Sequence, residues 1–110
     1  MEGNAKRTDR VANSIKELAA AFLERENDRT SLITVIAVTC SPDLKRATIL
    51  ITVLPDSRES AALGFVKRQL KDLREFLKKN MSIKTIPFLD VMIDLGEKHR
   101  QKIDELLRNG

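Results

Sequence analysis

Several residue types are scarce in this sequence, and each absence excludes a class of structure. The 110 residues include no tryptophan, no tyrosine, one cysteine and one histidine. The single cysteine, Cys40, excludes an intrachain disulfide and a cysteine-based zinc cluster, and it favours a reducing compartment, which predicts a cytoplasmic protein. No apolar run approaches the roughly 20 residues that cross a bilayer, so we expect neither membrane insertion nor secretion.

Residues that usually carry catalysis are equally scarce. His99 lies in a polar segment and would have to fold back to act as a base. Cys40 follows a β-branched run, which favours a buried and unreactive thiol. Asp90 and Asp94 share a strand face, but no third metal ligand is near them. Because no phosphate-binding or dinucleotide-binding glycine motif occurs either, we predict no enzymatic activity, no cofactor and no metal site.

The aromatic residues are four phenylalanines, which all lie within or beside apolar periodic segments: Phe22, Phe65, Phe76 and Phe88. This placement predicts core packing for each of them. Domains that bind single-stranded RNA by stacking its bases need exposed aromatic side chains. The sequence therefore predicts no stacking platform.

The apolar pattern that is present indicates one compact domain with a short tail. It predicts a helix from Thr8, as its N-cap, to about Glu26, strands at 32–39 and 46–53, a helix capped by Ser57 or Asp56 that ends near Asn80, and a strand at 88–94. The turn Ser41-Pro42-Asp43 predicts that the first two strands form an antiparallel hairpin. We place the domain at residues 1–95 and a helical tail at 96–110, in which Ile103, Leu106 and Leu107 share one face.

Three strands are few, so the economical architecture is an α+β layer in which the helices cover one face of the sheet. In the second strand Thr48 and Thr52 alternate with Ile49, Ile51 and Val53. This alternation is typical of a strand with one wet side. The other face of the sheet is then open to solvent or to a partner.

Positive charge is concentrated on the long helix. Lys67, Lys71, Arg74 and Lys78 recur at helical spacing and fall within an arc of about 60°. Between residues 67 and 84 there are seven basic and two acidic side chains, a net +5, against +4 for the whole chain. An ordinary solvated helix face explains most charge runs, but the stripe itself contains no acid to neutralise it, which favours phosphate binding.

Smaller basic clusters precede the first helix and occupy the hairpin turn. Together with the helix they make a candidate surface for RNA phosphates. The candidate RNA-binding residues are Arg7, Arg10, Lys45, Arg46, Lys67, Lys71, Arg74, Lys78, Lys79 and Lys84.

Several strings, in order and spacing along almost the whole chain, resemble the ribosome-binding factor A family, small bacterial proteins that act in maturation of the small ribosomal subunit. They are Arg7-Thr8-Asp9-Arg10-Val11-Ala12, Leu32-Ile33-Thr34-Val35, Val38-Thr39-Cys40-Ser41-Pro42-Asp43-Leu44, Ala47-Thr48-Ile49-Leu50-Ile51-Thr52-Val53-Leu54, Phe76-Leu77-Lys78-Lys79-Asn80-Met81 with Ile86-Pro87, and the tail from Gly96 to Leu107.

The resemblance implies a single KH-like domain of type II, with the order α-β-β-α-α-β, a three-stranded sheet and no Gly-x-x-Gly loop. The long helix would then be two helices that meet at a kink. In the family an alanine, any residue and a glycine mark this kink. Counting back from Pro87 places it at Gln69-Leu70-Lys71, which lacks both residues, whereas Ala62-Leu63-Gly64 has the pattern but lies too far from Pro87.

The function that the resemblance implies is non-catalytic. It is binding of the small ribosomal subunit and its 16S rRNA by a monomer, with a role in late maturation, in 5′-end processing and in growth at low temperature. Two alternatives stay open, a stand-alone KH-like protein for other RNAs and a protein-interaction module that uses the open sheet or the tail. A small α+β hydrolase is the least supported, because no base and nucleophile can be assembled beside a phosphate cradle.

Overall fold

The computed structural model describes residues 2–27, 29–94 and 96, with side chains from residue 7 onward. The elements are α1 (Glu2–Glu26), β1 (Leu32–Cys40), β2 (Arg46–Leu54), α2 (Glu59–Asn80) and β3 (Phe88–Ile93), with a 3₁₀ turn at Asp56–Arg58 before α2. The two long helices and the three strands predicted from the sequence are therefore confirmed. Apart from Gly96, the helical tail expected at 96–110 lies outside the described residues.

The sheet has the order β1-β2-β3. β1 and β2 form the predicted antiparallel hairpin, with an irregularity between Val35 and Ala37. β3 pairs with β2 in parallel and begins opposite its first residue, so that Arg46 lies beside Phe88. A parallel pair needs a crossover connection, which α2 provides.

The hydrophobic core lies between one face of the sheet and the two helices, as an α+β layer requires. Phe22 of α1 and Phe76 of α2 meet with ring centroids 5.5 Å apart. The buried side chains on α1 are Val11, Ala12, Ile15, Ala19, Phe22 and Leu23, those on β2 are Ala47, Ile49, Ile51 and Val53, and those on α2 are Ala62, Val66, Leu73 and Leu77.

The opposite face of the sheet is uncovered by any described element. Thr48, Leu50 and Thr52 of β2 are partly exposed on it, while their neighbours in the strand are buried. The predicted alternation is therefore confirmed. Several large apolar side chains also reach solvent from the strands: Leu32, Ile36, Leu54, Phe88 and Met92.

Phe88 was expected in the core, but the residue is 65% exposed and does not pack there. In β3 the core-facing positions are Leu89 and Val91. Since neighbouring residues of a strand point to opposite faces, Phe88 must face away from the core.

Both helix starts differ from the sequence prediction. α1 begins at Glu2, so Thr8 lies inside the helix and is not its N-cap. Asp56 and Ser57 belong to the 3₁₀ turn, and the residue at the N-cap of α2 is Arg58, which makes no side-chain capping hydrogen bond. The chain enters α2 through this turn instead of through a capping side chain.

α2 is one continuous helix of 22 residues, where the resemblance implied two helices that meet at a kink. It passes without interruption through both candidate positions, Gln69-Leu70-Lys71 and Ala62-Leu63-Gly64. Glutamine, leucine and lysine all favour helix, and the helix interior contains no proline to break it. The local residues therefore explain the continuity.

Candidate nucleic-acid interface

A groove of about 960 Å³ opens where the hairpin turn, the segment before β3, the middle of α2 and the first half of α1 come together. Five basic residues line it, and Asp43 is the only acidic residue among those lining it in the described part of the chain. We call it the basic groove. Its basic residues are Arg7, Lys45, Lys71, Arg74 and Lys84, and apolar side chains between them include Leu44, Leu70, Ile83 and Leu89.

Lys45 is held at the groove by a tightly bonded turn. The Ser41 hydroxyl donates to Asp43 Oδ1 over 2.6 Å, and the Lys45 backbone N–H donates to the same carboxylate over 3.1 Å. Leu44 adopts a left-handed conformation with φ of 59°, which turns the chain back toward β2. The Lys45 carbonyl then accepts the Phe88 N–H over 2.8 Å, so the turn is tied to the start of β3.

Asp43 is part of the turn as well as of the groove wall. The hydrogen bond from the Ser41 hydroxyl is the main cause that lowers its pKa below the ordinary value, with the Lys45 N–H next. Asp43 is therefore ionised at neutral pH, and its charge offsets one of the five positive charges around it.

Arg74 has a structural role that the stripe pattern did not reveal. Its side chain is partly buried, and Nη1 donates to the Pro87 carbonyl over 2.8 Å. This bond joins α2 to the segment before β3, across 13 residues of chain. Arg74 therefore fixes one wall of the groove, whereas Arg7, Lys45, Lys71 and Lys84 are exposed around it.

The structure thus brings together five of the ten candidate residues and leaves five outside. Arg10 lines a separate recess of about 430 Å³. Lys67 and Lys79 are exposed on α2 away from the groove. Lys78 and Arg46 each contact another side chain, Glu75 and Phe88 respectively.

Lys78 lies 3.7 Å from Glu75, one turn away on α2, and both side chains are more than half exposed. Such surface pairs contribute at most a few tenths of a kcal/mol. The stripe is thus partly neutralised by an acid beside it, although it contains none. Arg46 projects from β2 over the ring of Phe88, with 5.9 Å from its Cζ to the ring centroid.

Asp90 and Asp94, the two carboxylates near β3, accept hydrogen bonds from nearby backbone N–H groups. Asp90 Oδ1 accepts the Val91 N–H, and Asp94 Oδ1 accepts the Gly96 N–H. Cys40 is only partly buried, and this burial raises the pKa of its thiol, which favours the protonated form at neutral pH. In the described part of the chain no three potential ligands lie close enough to hold a metal ion. His99 lies outside the described residues.

Phe88 is the residue that sequence reasoning misplaced. It lines the groove and is exposed, whereas the apolar run around it favoured burial. The signal that could have found it is the alternation along β3, in which Phe88 shares a face with Asp90 and Met92 instead of with Leu89 and Val91.

Comparisons with a family model and with known proteins all point to one family. A family model described as ribosome-binding factor A matches residues 7–107. A ribosome-binding factor A of Beutenbergia cavernae is 33% identical over 111 residues, which cover 98% of this chain and 69% of the relative. One of Chlorobium phaeovibrioides is 29% identical, with 96% of this chain and 92% of the relative covered.

Two solved structures have the same fold. The crystal structure of ribosome-binding factor A from Thermus thermophilus gives a TM-score of 0.71 at 21% identity, covering 78% of this chain and 93% of that one. The solution NMR structure of a Thermotoga maritima protein gives 0.69 at 23% identity, covering 84% and 91%. These likenesses confirm the KH-like α+β fold. No helix in the described part of the chain could span a bilayer.

Proposed function

The chain belongs to the ribosome-binding factor A family, and we propose that it is a non-catalytic factor that binds precursors of the small ribosomal subunit in the cytoplasm. In this proposal it assists late maturation and 5′-end processing of 16S rRNA, with its greatest effect at low temperature. Relatives named for ribosome binding support the general role. The basic groove is the observation that supports RNA as the ligand.

The groove suits the backbone of folded RNA better than it suits a small anion. Its exposed cations come from α1, the hairpin turn, α2 and the loop before β3, and they surround an open space of about 960 Å³. Phosphates spaced along a backbone can be met by cations spread over such a surface. Contacts of this kind depend on the shape of the RNA and not on its sequence. Binding energy, without chemistry, would then hold a precursor in a maturing conformation.

One observation favours the protein-interaction alternative. Leu32, Leu54, Phe88 and Met92 are each more than half exposed on the strands. Exposed apolar patches often mark protein contacts. Association through them would vary little with salt, whereas phosphate binding weakens steeply as salt is raised.

Co-sedimentation with small subunits tests the proposal. The variant that changes the groove is Lys45→Glu with Lys71→Glu. The matched control is Lys67→Glu with Lys79→Glu, which makes the same change in net charge at exposed positions outside the groove. We expect salt-sensitive co-sedimentation of the wild type with immature subunits, loss of most of it in the groove variant, and retention in the control.

Arg74 is left unchanged in this comparison because its hydrogen bond to Pro87 would confound binding with stability. Thermal unfolding checks that all variants fold. Absence of co-sedimentation by the folded wild type would contradict ribosome binding, and equal losses in both variants would contradict the groove. In cells that lack the protein, the groove variant should fail to restore 5′-end processing at low temperature, whereas the control should restore it.

A further inference from the structure

Phe88 occupies an unusual position for a large aromatic side chain. It is the first residue of β3, it lines the basic groove, and the residue is 65% exposed. Leaving so much aromatic surface in water forgoes the hydrophobic stabilisation that burial would bring. Its position beside a cationic groove makes the ring available to a ligand that the groove binds.

The peptide group that precedes this ring is held at both its polar ends by groove residues. The Phe88 N–H donates to the Lys45 carbonyl over 2.8 Å, and the preceding carbonyl, that of Pro87, accepts Arg74 Nη1 over 2.8 Å. The Pro87 side chain is fully buried. The ring is thus mounted on a rigid support, which lowers the entropy cost of using it for binding.

Arg46 lies over one face of this ring and adds a guanidinium to the site. It is the direct neighbour of Phe88 across the β2–β3 pair, and its Cζ lies 5.9 Å from the ring centroid. A guanidinium plane and an aromatic ring are the two side-chain surfaces on which unpaired nucleobases stack. Farther along the same strand and face lies the exposed carboxylate Asp90, which would repel a phosphate. The groove cations therefore favour phosphates in the groove, and the carboxylate on the same strand face as the ring favours an uncharged base there.

We propose that Phe88 and Arg46 form a stacking site for an unpaired nucleobase of an RNA strand whose phosphates lie in the basic groove. This inference rests on the proposed function and specifies its ligand, which is an unpaired base that is splayed out of the folded RNA. The site would accept any base, because stacking uses the face that all bases share.

A pair of oligonucleotides separates stacking from phosphate binding. The probes are a short oligoadenylate and an abasic oligonucleotide of equal length, which has the same phosphates and no bases. We expect the wild type to prefer oligoadenylate about tenfold. Phe88→Ala should abolish the preference while leaving affinity for the abasic probe unchanged, and Phe88→Tyr should keep it. The matched control is Met92→Ala, exposed on the same face of β3 and outside the groove lining.

Fluorescence gives a second measurement, since the chain contains no tryptophan. The indole of Phe88→Trp should be quenched when oligoadenylate binds, and that of Met92→Trp should not. Two folded single-tryptophan variants with equal responses would overturn the inference.

The outcomes also distinguish this inference from the proposed function. Equal, salt-sensitive binding of both oligonucleotides by the wild type would overturn base stacking alone. A Phe88→Ala variant that keeps the preference for oligoadenylate but binds subunits less well would overturn it in favour of a protein contact. Failure of the folded wild type to bind either probe would overturn the inference, and the proposed function would fall with it only if small subunits also stay unbound.

Discussion

Individual basic side chains in this protein have distinct roles despite their similar spacing along α2. Lys71 is exposed beside the groove, Arg74 is partly buried and bonded to the Pro87 carbonyl, and Lys78 pairs with Glu75. A guanidinium can bond a carbonyl and still present further N–H groups, because it carries five of them. Arg74 can therefore position the groove and contribute charge to it.

We expect Arg74→Met to lower the free energy of unfolding by about 1.5–3 kcal/mol, because it removes a hydrogen bond made by a charged group and leaves the Pro87 carbonyl without this donor. Urea denaturation measures the change. The control Lys78→Met breaks only an exposed ion pair and should change stability by less than about 0.5 kcal/mol. Similar losses in the two variants would show that the Arg74 bond does not stabilise the fold.

Regular apolar patterns define the helices and strands of this chain. In α2 the helix-favouring residues keep the helix continuous where the family resemblance implied a kink. Its buried positions, Ala62, Val66, Leu73 and Leu77, keep one helical face from end to end. Gly64 is the only glycine of the helix and does not interrupt it. A Cβ built at this position would meet Arg68 Nη1, the far end of a flexible side chain, at 3.4 Å.

Gly64→Ala should therefore raise the free energy of unfolding by about 0.5–1 kcal/mol, since alanine loses less backbone entropy in a helix and the nearest contact can yield. Thermal or urea unfolding checks the sign. Ala61→Gly, an exposed position in the same helix, is the control and should lower stability by a similar amount. A loss of stability in Gly64→Ala would indicate that the glycine is needed for a bend in α2.

The assembled fold determines how many basic side chains surround the same groove. Arg7, Lys45, Lys71 and Lys84 are far apart in sequence but surround one groove as exposed cations. Half of the ten candidate residues are elsewhere, so the total charge of the candidates overstates the charge at the groove. The number of cations that contact phosphates is best measured through salt dependence.

If each of these four cations neutralises one phosphate, log affinity for RNA should fall against log salt with a slope of about −3 to −4. The Lys45→Glu, Lys71→Glu variant should flatten this slope by about half, and the Lys67→Glu, Lys79→Glu control should leave it unchanged. Fluorescence anisotropy of a labelled RNA over a salt series gives the slopes. Identical slopes for the two variants would contradict a role for the groove cations.

Local patterns along the chain were sufficient to predict the helices, the strands and the α+β fold class. Apolar spacing predicted both helices and all three strands, and the alternation of Thr48 and Thr52 with buried residues predicted the open face. These features depend on neighbours within a turn of helix or a few residues of strand, so the sequence contains them.

Only the tertiary structure determines which distant segments of the chain lie side by side. The parallel pairing of β3 with β2 places Phe88 beside Arg46, and crossing of the chain through α2 brings Lys71 to the hairpin turn that carries Lys45. The internal bond of Arg74 follows from that same arrangement. Spacing within one segment cannot reveal these contacts, because each depends on register and packing between residues that are far apart in the chain.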